Sequence, residues 1–279
     1  MLSKKFFIFK ILTLTFSVIT LIFYILSFAT SYDFNIGYFN ISPVVIISRI
    51  LLALTVISSV SCIFIIPKKT ITPDNINSGK RFYPAILCTV AFLAYSLFKI
   101  YAVISVGKWS AVSVFSIIFA ILSCVYYFLI FIGIKVSETN FALLGFSQIV
   151  WFVTVVASSY FDYSVAQNSP QKIIIMFSAM AAMLYVLSEI KVVLGKQSSR
   201  IHFSLAAPTI VLCSIGTALN IFLIANTGVD AFSDYIFYAG IFFSVAVYVT
   251  LRLVLASPST SADTELSESD ADTGKSDNQ

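Results

Sequence analysis

Residues 109–134 read WSAVSVFSIIFAILSCVYYFLIFIGI, twenty-six positions without an Asp, Glu, Lys, Arg or His, bracketed by Lys108 and Lys135. Crossing a hydrocarbon core about 30 Å thick takes roughly 20 apolar residues of helix, so this run is long enough to span a bilayer. In lipid every backbone N–H and C=O must be satisfied internally, and the run lacks the apolar/polar alternation of a barrel strand, so it reads as a helix. Working outward in both directions, the same test finds seven more runs: 6–30, 43–66, 83–106, 141–160, 172–194, 203–226 and 232–256. The expected fold is an all-α polytopic transmembrane bundle of eight spans, and an even number of crossings puts both termini on one side.

Composition agrees with that reading. The chain has 279 residues, 59% hydrophobic and 11% charged, with a mean hydropathy of +0.96. A typical soluble domain has roughly 45–50% apolar and about 25% charged residues, so a water-soluble globule is excluded. His202 is the single histidine, and the four cysteines, Cys62, Cys88, Cys124 and Cys213, all fall within spans. A histidine-rich metal centre and a disulfide-stapled secreted scaffold are therefore both out of reach.

Positive charge in the short connections sets the orientation. Thirteen basic residues lie on the side holding the termini: Lys4, Lys5, Lys10, Lys68, Lys69, Lys80, Arg81, Lys135, Lys191, Lys196, Arg200, Arg252 and Lys275. Only Lys108 and Lys172 lie opposite, and Arg49 and Lys99 sit inside spans. Both termini are expected in the cytoplasm, with the protein multi-pass in a plasma membrane. The first span follows Lys4 and Lys5, and Ser27-Phe28-Ala29 loosely resembles a cleavage site. Its apolar stretch exceeds the roughly 7–15 residues of a signal-peptide core, so it is read as a retained helix.

Residues 257–279, SPSTSADTELSESDADTGKSDNQ, contain no aromatic residue and six acids against one Lys. Such a composition cannot bury enough apolar surface to order itself. The expectation is a membrane domain over 1–256 and a disordered acidic cytoplasmic tail over 257–279. The tail reads either as a solvated terminus or as a segment that docks a protein partner or folds back on the basic loops.

An internal echo divides the membrane domain into halves, 1–134 and 135–256. Ser31-Tyr32-Asp33-Phe34 through Asn40-Ile41-Ser42-Pro43 parallels Ser159-Tyr160-Phe161-Asp162-Tyr163 through Asn168-Ser169-Pro170, each proline opening a helix. Arg81-Phe82-Tyr83 parallels Arg200-Ile201-His202-Phe203, and Gly107 parallels Gly228, at offsets of 127, 119 and 121 residues. A parallel four-plus-four repeat accounts for this; chance similarity among Ser/Asn/Pro loops is the alternative.

The stretch Tyr160-Phe161-Asp162, Asn168-Ser169-Pro170-Gln171-Lys172, Leu187-Ser188-Glu189-Ile190-Lys191, Gly195 and Arg200 resembles the second half of an uncharacterised family of eight-helix integral membrane proteins from Gram-positive anaerobic bacteria. The resemblance covers roughly 158–202, with layout alone matching elsewhere, and Lys191 departs from an expected arginine. It implies the helix count and a bacterial membrane. The family has no assigned activity, so the resemblance adds no chemistry.

Ionisable groups inside spans are the candidate functional residues, because an unpaired one costs several kcal/mol in hydrocarbon. Lys99 lies 16 residues into its span, about 24 Å from the inner end at 1.5 Å per residue; Arg49 and Asn220 lie at similar depth. If the repeat holds, Asn220 is the repeat mate of Lys99. Together these donors form a candidate substrate-binding cluster for a small anionic or zwitterionic solute. They read alternatively as snorkelling side chains, or as partners of the outer-loop acids Asp33, Asp162, Asp230 and Asp234. Glu189 is the one acid deeper than the first few residues of a span, and Arg252 is its expected partner at like depth, forming an ion pair that either fixes packing or couples a proton.

Hydroxyl and small-residue stripes run along four spans: Thr13, Ser17, Thr20, Tyr24 and Ser27; Ser48, Thr55, Ser59 and Cys62; Ser116, Ala120 and Cys124; and Thr209, Cys213, Gly216 and Asn220. They read as close helix packing or as a polar path. Pro208 precedes the last stripe and is expected to free a backbone carbonyl. The motifs H-E-x-x-H, G-x-x-x-x-G-K-[ST], G-x-S-x-G and G-x-G-x-x-G are all absent. No enzyme activity, cofactor, metal or nucleic acid is expected. The functional expectation is a permease or solute-binding membrane subunit; the alternative is a non-catalytic membrane scaffold or sensor acting through helix contacts and the acidic tail.

Overall fold

The structure is a computed structural model that describes residues 2–33, 36–65, 81–107, 110–163, 166, 168–195, 199–227 and 234–256. Lys68, Lys69, Lys80, Lys108, Lys196, Gly228, Asp230 and the tail 257–279 lie outside the described residues, as do the side chains of Lys4, Lys5, Cys62 and Arg200.

In chain order the elements are α1 (Leu2–Ser31), β1 (Tyr32–Asp33), β2 (Tyr38–Phe39), α2 (Pro43–Ile65), α3 (Ala85–Val106), α4 (Ala111–Ile132), α5 (Glu138–Phe161), α6 (Pro170–Val193), α7 (Ser199–Ser204), α8 (Ala206–Thr227) and α9 (Asp234–Leu255). Among the described residues eight helical stretches are long and apolar enough to cross a membrane, and they coincide with the eight expected spans. The chain is an all-α integral membrane protein. Its helix ends are set by local chemistry: Ser110, Ser137 and Ser169 each accept a hydrogen bond from the backbone N–H three residues on, and Gly133, at φ 78°, closes α4 in a left-handed cap. The Ser137 cap starts α5 at Glu138, three residues before the apolar run begins. The first turn, Glu138-Thr139-Asn140, is polar and invisible to a hydropathy test.

The seventh span is broken. α7 and α8 meet at Leu205, and Pro208 in the first turn of α8 has no N–H to give the carbonyl four residues back, which is that of Ser204. The Ser59 hydroxyl of α2 donates to that carbonyl, so the freed acceptor is satisfied by a neighbouring helix.

Six helices close a ring in the order α3, α4, α5, α6, α8, α9, each packing on the next and α9 returning to α3. The α1–α2 hairpin lies outside the ring against α8. The proposed halves therefore interleave: α9 packs on α3, α5 on α4, and α8 on both α1 and α2. Contacts at the helix ends define two faces. Lys10 near the start of α1 donates to the carbonyls of Val254 (2.8 Å) and Ala256 at the end of α9, and this is termed the terminal face. At the far face a short hairpin pairs Tyr32 with Phe39 and Asp33 with Tyr38; Phe28, Phe39 and Phe222 stack beneath it.

Small residues set the tightest approaches. A Cβ placed on Gly216 of α8 would lie 2.6 Å from Ser178 Oγ and 3.2 Å from Phe242, so α6, α8 and α9 meet at that point. The helix stripes act here as packing surfaces. Thr209 Oγ1 donates to the Ala181 carbonyl (3.1 Å), Cys213 Sγ to that of Ser178 (3.7 Å), and Thr20 and Thr55 share a hydrogen bond of 3.0 Å between α1 and α2. Ser116 of the α4 stripe bonds the Tyr95 hydroxyl at 2.6 Å. Cys88, Cys124 and Cys213 are free thiols.

The ring interior is filled by aromatic side chains rather than left as a pore. Trp151 meets Phe92, Tyr95 and Phe152 edge-on with ring centroids 4.9–5.1 Å apart, and Tyr127 meets Tyr126 and Tyr248 in the same way at 5.1 and 5.2 Å. All of these rings are buried. Outward-facing positions such as Phe7, Ile11, Ile50, Leu97, Phe128 and Phe177 present an apolar belt to lipid.

Candidate functional site

Two polar groupings lie inside the ring, one at each face. At the terminal face Glu189 of α6 is wholly buried. Tyr248 of α9 donates to its Oε1 at 2.6 Å, and Tyr126 of α4 donates to its Oε2 at 3.1 Å. Arg252, one helical turn beyond Tyr248, approaches Oε1 to 3.8 Å with its Nε but directs Nε and Nη2 at the Tyr248 oxygen, at 3.2 and 3.1 Å. Its guanidinium lies 4.0 Å over the ring of Phe82, a cation–π contact at the entrance to α3. The expected Glu189–Arg252 pair is formed, with a tyrosine hydroxyl seated between its members. Close by, Gln148 Nε2 donates to Tyr127 (2.6 Å), and His202 Nδ1 lies 3.1 Å from Ser188 Oγ with its ring over Tyr185.

The far-face grouping surrounds a cavity of about 370 Å³ lined by Ser158, Ser159, Asp162, Gln171, Lys172, Ile175, Asp234, Tyr235 and Tyr238. These come from the end of α5 and the starts of α6 and α9. Ser169 and Pro170 fix where α6 begins, which places Gln171 and Lys172 in its first turn. A cation there opposes the helix dipole, yet Lys172 is 3% exposed. Its Nζ donates to the carbonyl of Asp162, where α5 ends. An ammonium carries three N–H groups, and the other two have no acceptor among the described residues. Asp234 stands at the N-terminus of α9, where a carboxylate is favoured, and Lys99 of α3 holds it at 2.7 Å. The cavity lining thus has two carboxylates and one ammonium group, with Lys99 paired to one of the carboxylates from outside the lining, and Tyr238 of the lining stacks on Tyr95 of the aromatic fill.

The expected cluster of Lys99, Arg49 and Asn220 is placed as three separate environments. Lys99 is paired with Asp234 of the cavity lining. Arg49 is exposed on α2 between Ile46, Ile47 and Ile50, outside the ring. Asn220 is wholly buried on α8, donating to the Gly216 carbonyl at 2.8 Å with its Oδ1 unpartnered. Sequence reasoning counted Lys172 only as an orienting charge. The signal available was a lysine two residues after Pro170, in the turn where a helix disfavours cations. Tyr126 and Tyr248 were passed over because tyrosine reads as apolar, although Tyr248 and Arg252 are four apart on one helical face. Among the described residues no group of three or more His, Cys, Asp or Glu could hold a metal ion. No protein-family model, curated protein or solved structure matches the chain.

Proposed function

We propose that the protein is a permease or solute-binding membrane subunit, without enzymatic activity, whose solute is small and zwitterionic and sits in the far-face cavity. The observation that carries this reading is Lys172, a buried lysine in the lining of a cavity whose ammonium has one acceptor, the Asp162 carbonyl, among the described residues. A buried charge is costly unless its donors are met, and a solute carboxylate meets them. Asp162 and Asp234 offer the complementary contact to an amine. With Lys99 included, the walls sum to zero charge, which favours a zwitterion over a simple anion. The volume falls in the range of small-ligand sites.

The cavity is open at the far face, and aromatic side chains close the ring between it and the terminal face, as in an alternating-access protein open to one side. The excess of basic residues on the terminal side supports cytoplasmic termini in a bacterial plasma membrane, and the cavity then opens outward, for uptake.

The test is thermal stability of the purified protein against a panel of α-amino acids, betaines, simple carboxylates and simple amines. A ligand that binds only the folded state adds about 2.7 kcal/mol at 100 times its dissociation constant. A saturable shift with zwitterions alone, lost in Lys172→Gln and in the mouth-filling Ser158→Trp, is the expected result. Counterflow in liposomes then separates a permease from a binding subunit. A folded protein that responds to nothing in the panel refutes the reading and leaves the scaffold or sensor.

A further inference from the structure

We propose that Glu189 is a proton-binding site whose charge state locks and releases the terminal-face end of the ring. This goes beyond the solute reading and does not depend on it. The argument is one of hydrogen-bond capacity. A phenolic oxygen has one hydrogen and two lone pairs. Tyr248 commits all three: its hydrogen goes to Glu189 Oε1 at 2.6 Å, and its lone pairs accept from Arg252 Nε and Nη2 at 3.2 and 3.1 Å. Arg252 is 3.8 Å from Oε1, beyond hydrogen-bond reach, so the charge pair closes through the tyrosine and not directly.

A proton added to Glu189 acts on this arrangement in two ways. It removes the counter-charge that holds Arg252 inside the protein, where its side chain is only 9% exposed. It also turns the carboxyl group into a donor facing a tyrosine oxygen that has no lone pair to spare. Both effects push Arg252 off Tyr248 and Phe82 towards water at the terminal face. The same carboxylate is held by Tyr126 of α4, and Phe82 N–H donates to Ile130 at the end of α4. Loss of the Arg252 contact therefore unties α9 from Glu189 of α6 and from Phe82 at the entrance to α3. The far face of the ring has a cavity, so this crosslink stands at the closed end.

Every group that faces the pair has a place in the test. Tyr126 and Tyr127 of α4, Cys88 of α3, Tyr185 of α6 and Tyr248 of α9 lie within electrostatic reach of Glu189. Phenols, with an ordinary pKa of about 10, stay neutral between pH 5 and 8, and a thiol, ordinarily at about 8.5, begins to ionise only at the upper end of that interval. Cys213 of α8 lies behind Cys88, and α5 offers Gln148, which does not titrate. His202 of α7 faces Arg252 and is the one other group whose ordinary pKa falls in that window, so it needs its own control.

The experiment follows the full-length protein in lipid nanodiscs from pH 8 to pH 5 by two measurements. Infrared difference spectra read the C=O stretch of a protonated carboxyl group, and hydrogen exchange, corrected for its chemical pH dependence, reads residues 246–256. Expected is a carboxyl band that grows as pH falls and is missing in Glu189→Gln, with exchange at the end of α9 rising at least tenfold over the same interval. Glu189→Gln at pH 8 should exchange as the wild type does at pH 5, and His202→Gln should keep the wild-type response. A wild-type spectrum with no titrating carboxyl band overturns the proposal without recourse to any variant. So does a band that titrates while exchange stays flat, which would leave Glu189 and Arg252 as a packing pair.

Discussion

The approach of α8 to α6 at Gly216 can be tested by adding one methyl group. In Gly216→Ala the new Cβ would sit 2.6 Å from Ser178 Oγ and 3.2 Å from both Ser178 Cβ and a ring carbon of Phe242. Ordinary contact begins near 3.4 Å, so about 0.8 Å must be found. Ser178 cannot simply rotate away, because its hydroxyl lies 2.6 Å from the Leu212 carbonyl across the helix pair and 2.8 Å from the Ile174 carbonyl of its own helix, its one hydrogen shared between them. Overpacking of this kind costs about 1–3 kcal/mol, and an interhelical hydrogen bond in a membrane protein contributes about 0.6 kcal/mol. Alanine recovers about 1 kcal/mol of helix propensity over glycine. The net expectation is a loss of about 1–2 kcal/mol, read by reversible unfolding in mixed micelles. In a Ser178→Gly background both short contacts to Ser178 vanish, and the same Gly216→Ala change should become stabilising by a few tenths of a kcal/mol. Equal destabilisation in both backgrounds would refute the claim that this contact sets the helix spacing.

Three further outcomes follow from the geometry. Ser59→Ala should cost about 1–2 kcal/mol by stranding the Ser204 carbonyl, and Pro208→Ala in that background should restore most of it by returning an N–H to the same carbonyl; unfolding measurements on the pair decide. Lys99→Ala should cost under about 1 kcal/mol, because the Lys99–Asp234 pair is part exposed and screened. It should nonetheless weaken the zwitterion-induced thermal shift by loosening Asp234. Asn220→Leu should be neutral or mildly stabilising in the unfolding assay, since it removes a buried oxygen that has no partner among the described residues; a large loss would mean that Asn220 carries a polar contact of its own.

The architecture was legible because it depends on additive quantities. Apolar length located all eight spans, and Pro43 and Pro170 marked the starts of two of them. The site was less legible because it depends on which faces meet. Equal depth put Lys99, Arg49 and Asn220 in one layer, but α3 and α2 lie on different sides of α8 and α9, and depth carries no azimuth. The Glu189–Arg252 pair was readable because a lone acid inside a span demands a cation at like depth. The intervening tyrosine was not, because nothing in a single sequence says that Tyr248 turns its hydroxyl inward while Tyr101 and Tyr160 stay exposed.

The position of the α1–α2 hairpin bears on where function can reside. Several of its hydroxyls are met locally: Ser17 and Ser27 bond carbonyls of their own helix at 2.7 and 2.8 Å, Thr20 bonds Thr55, and Ser59 caps the break before α8. The outward positions Ile8, Ile11, Val18, Ile22, Ile46, Ile50 and Ile57 are exposed and apolar, as lipid requires. Arg49 shares that outward surface, so a solute held by Lys172 inside the ring cannot also be held by Arg49. The hairpin buttresses α8, while Lys172 at one face and the Glu189 carboxylate at the other both project from α6. That helix turns Ile173, Phe177, Met180 and Leu184 to lipid and encloses Gln171, Lys172, Ser178, Ser188 and Glu189 on its inner side. A helix face enclosed by protein in a membrane has no need of polar groups to meet water, so each one it retains must be met by a neighbour or a ligand. Ser178 and Ser188 are met by Leu212 and His202, which leaves Lys172 and Glu189 as the two positions where a bound solute and a bound proton would act on the same helix.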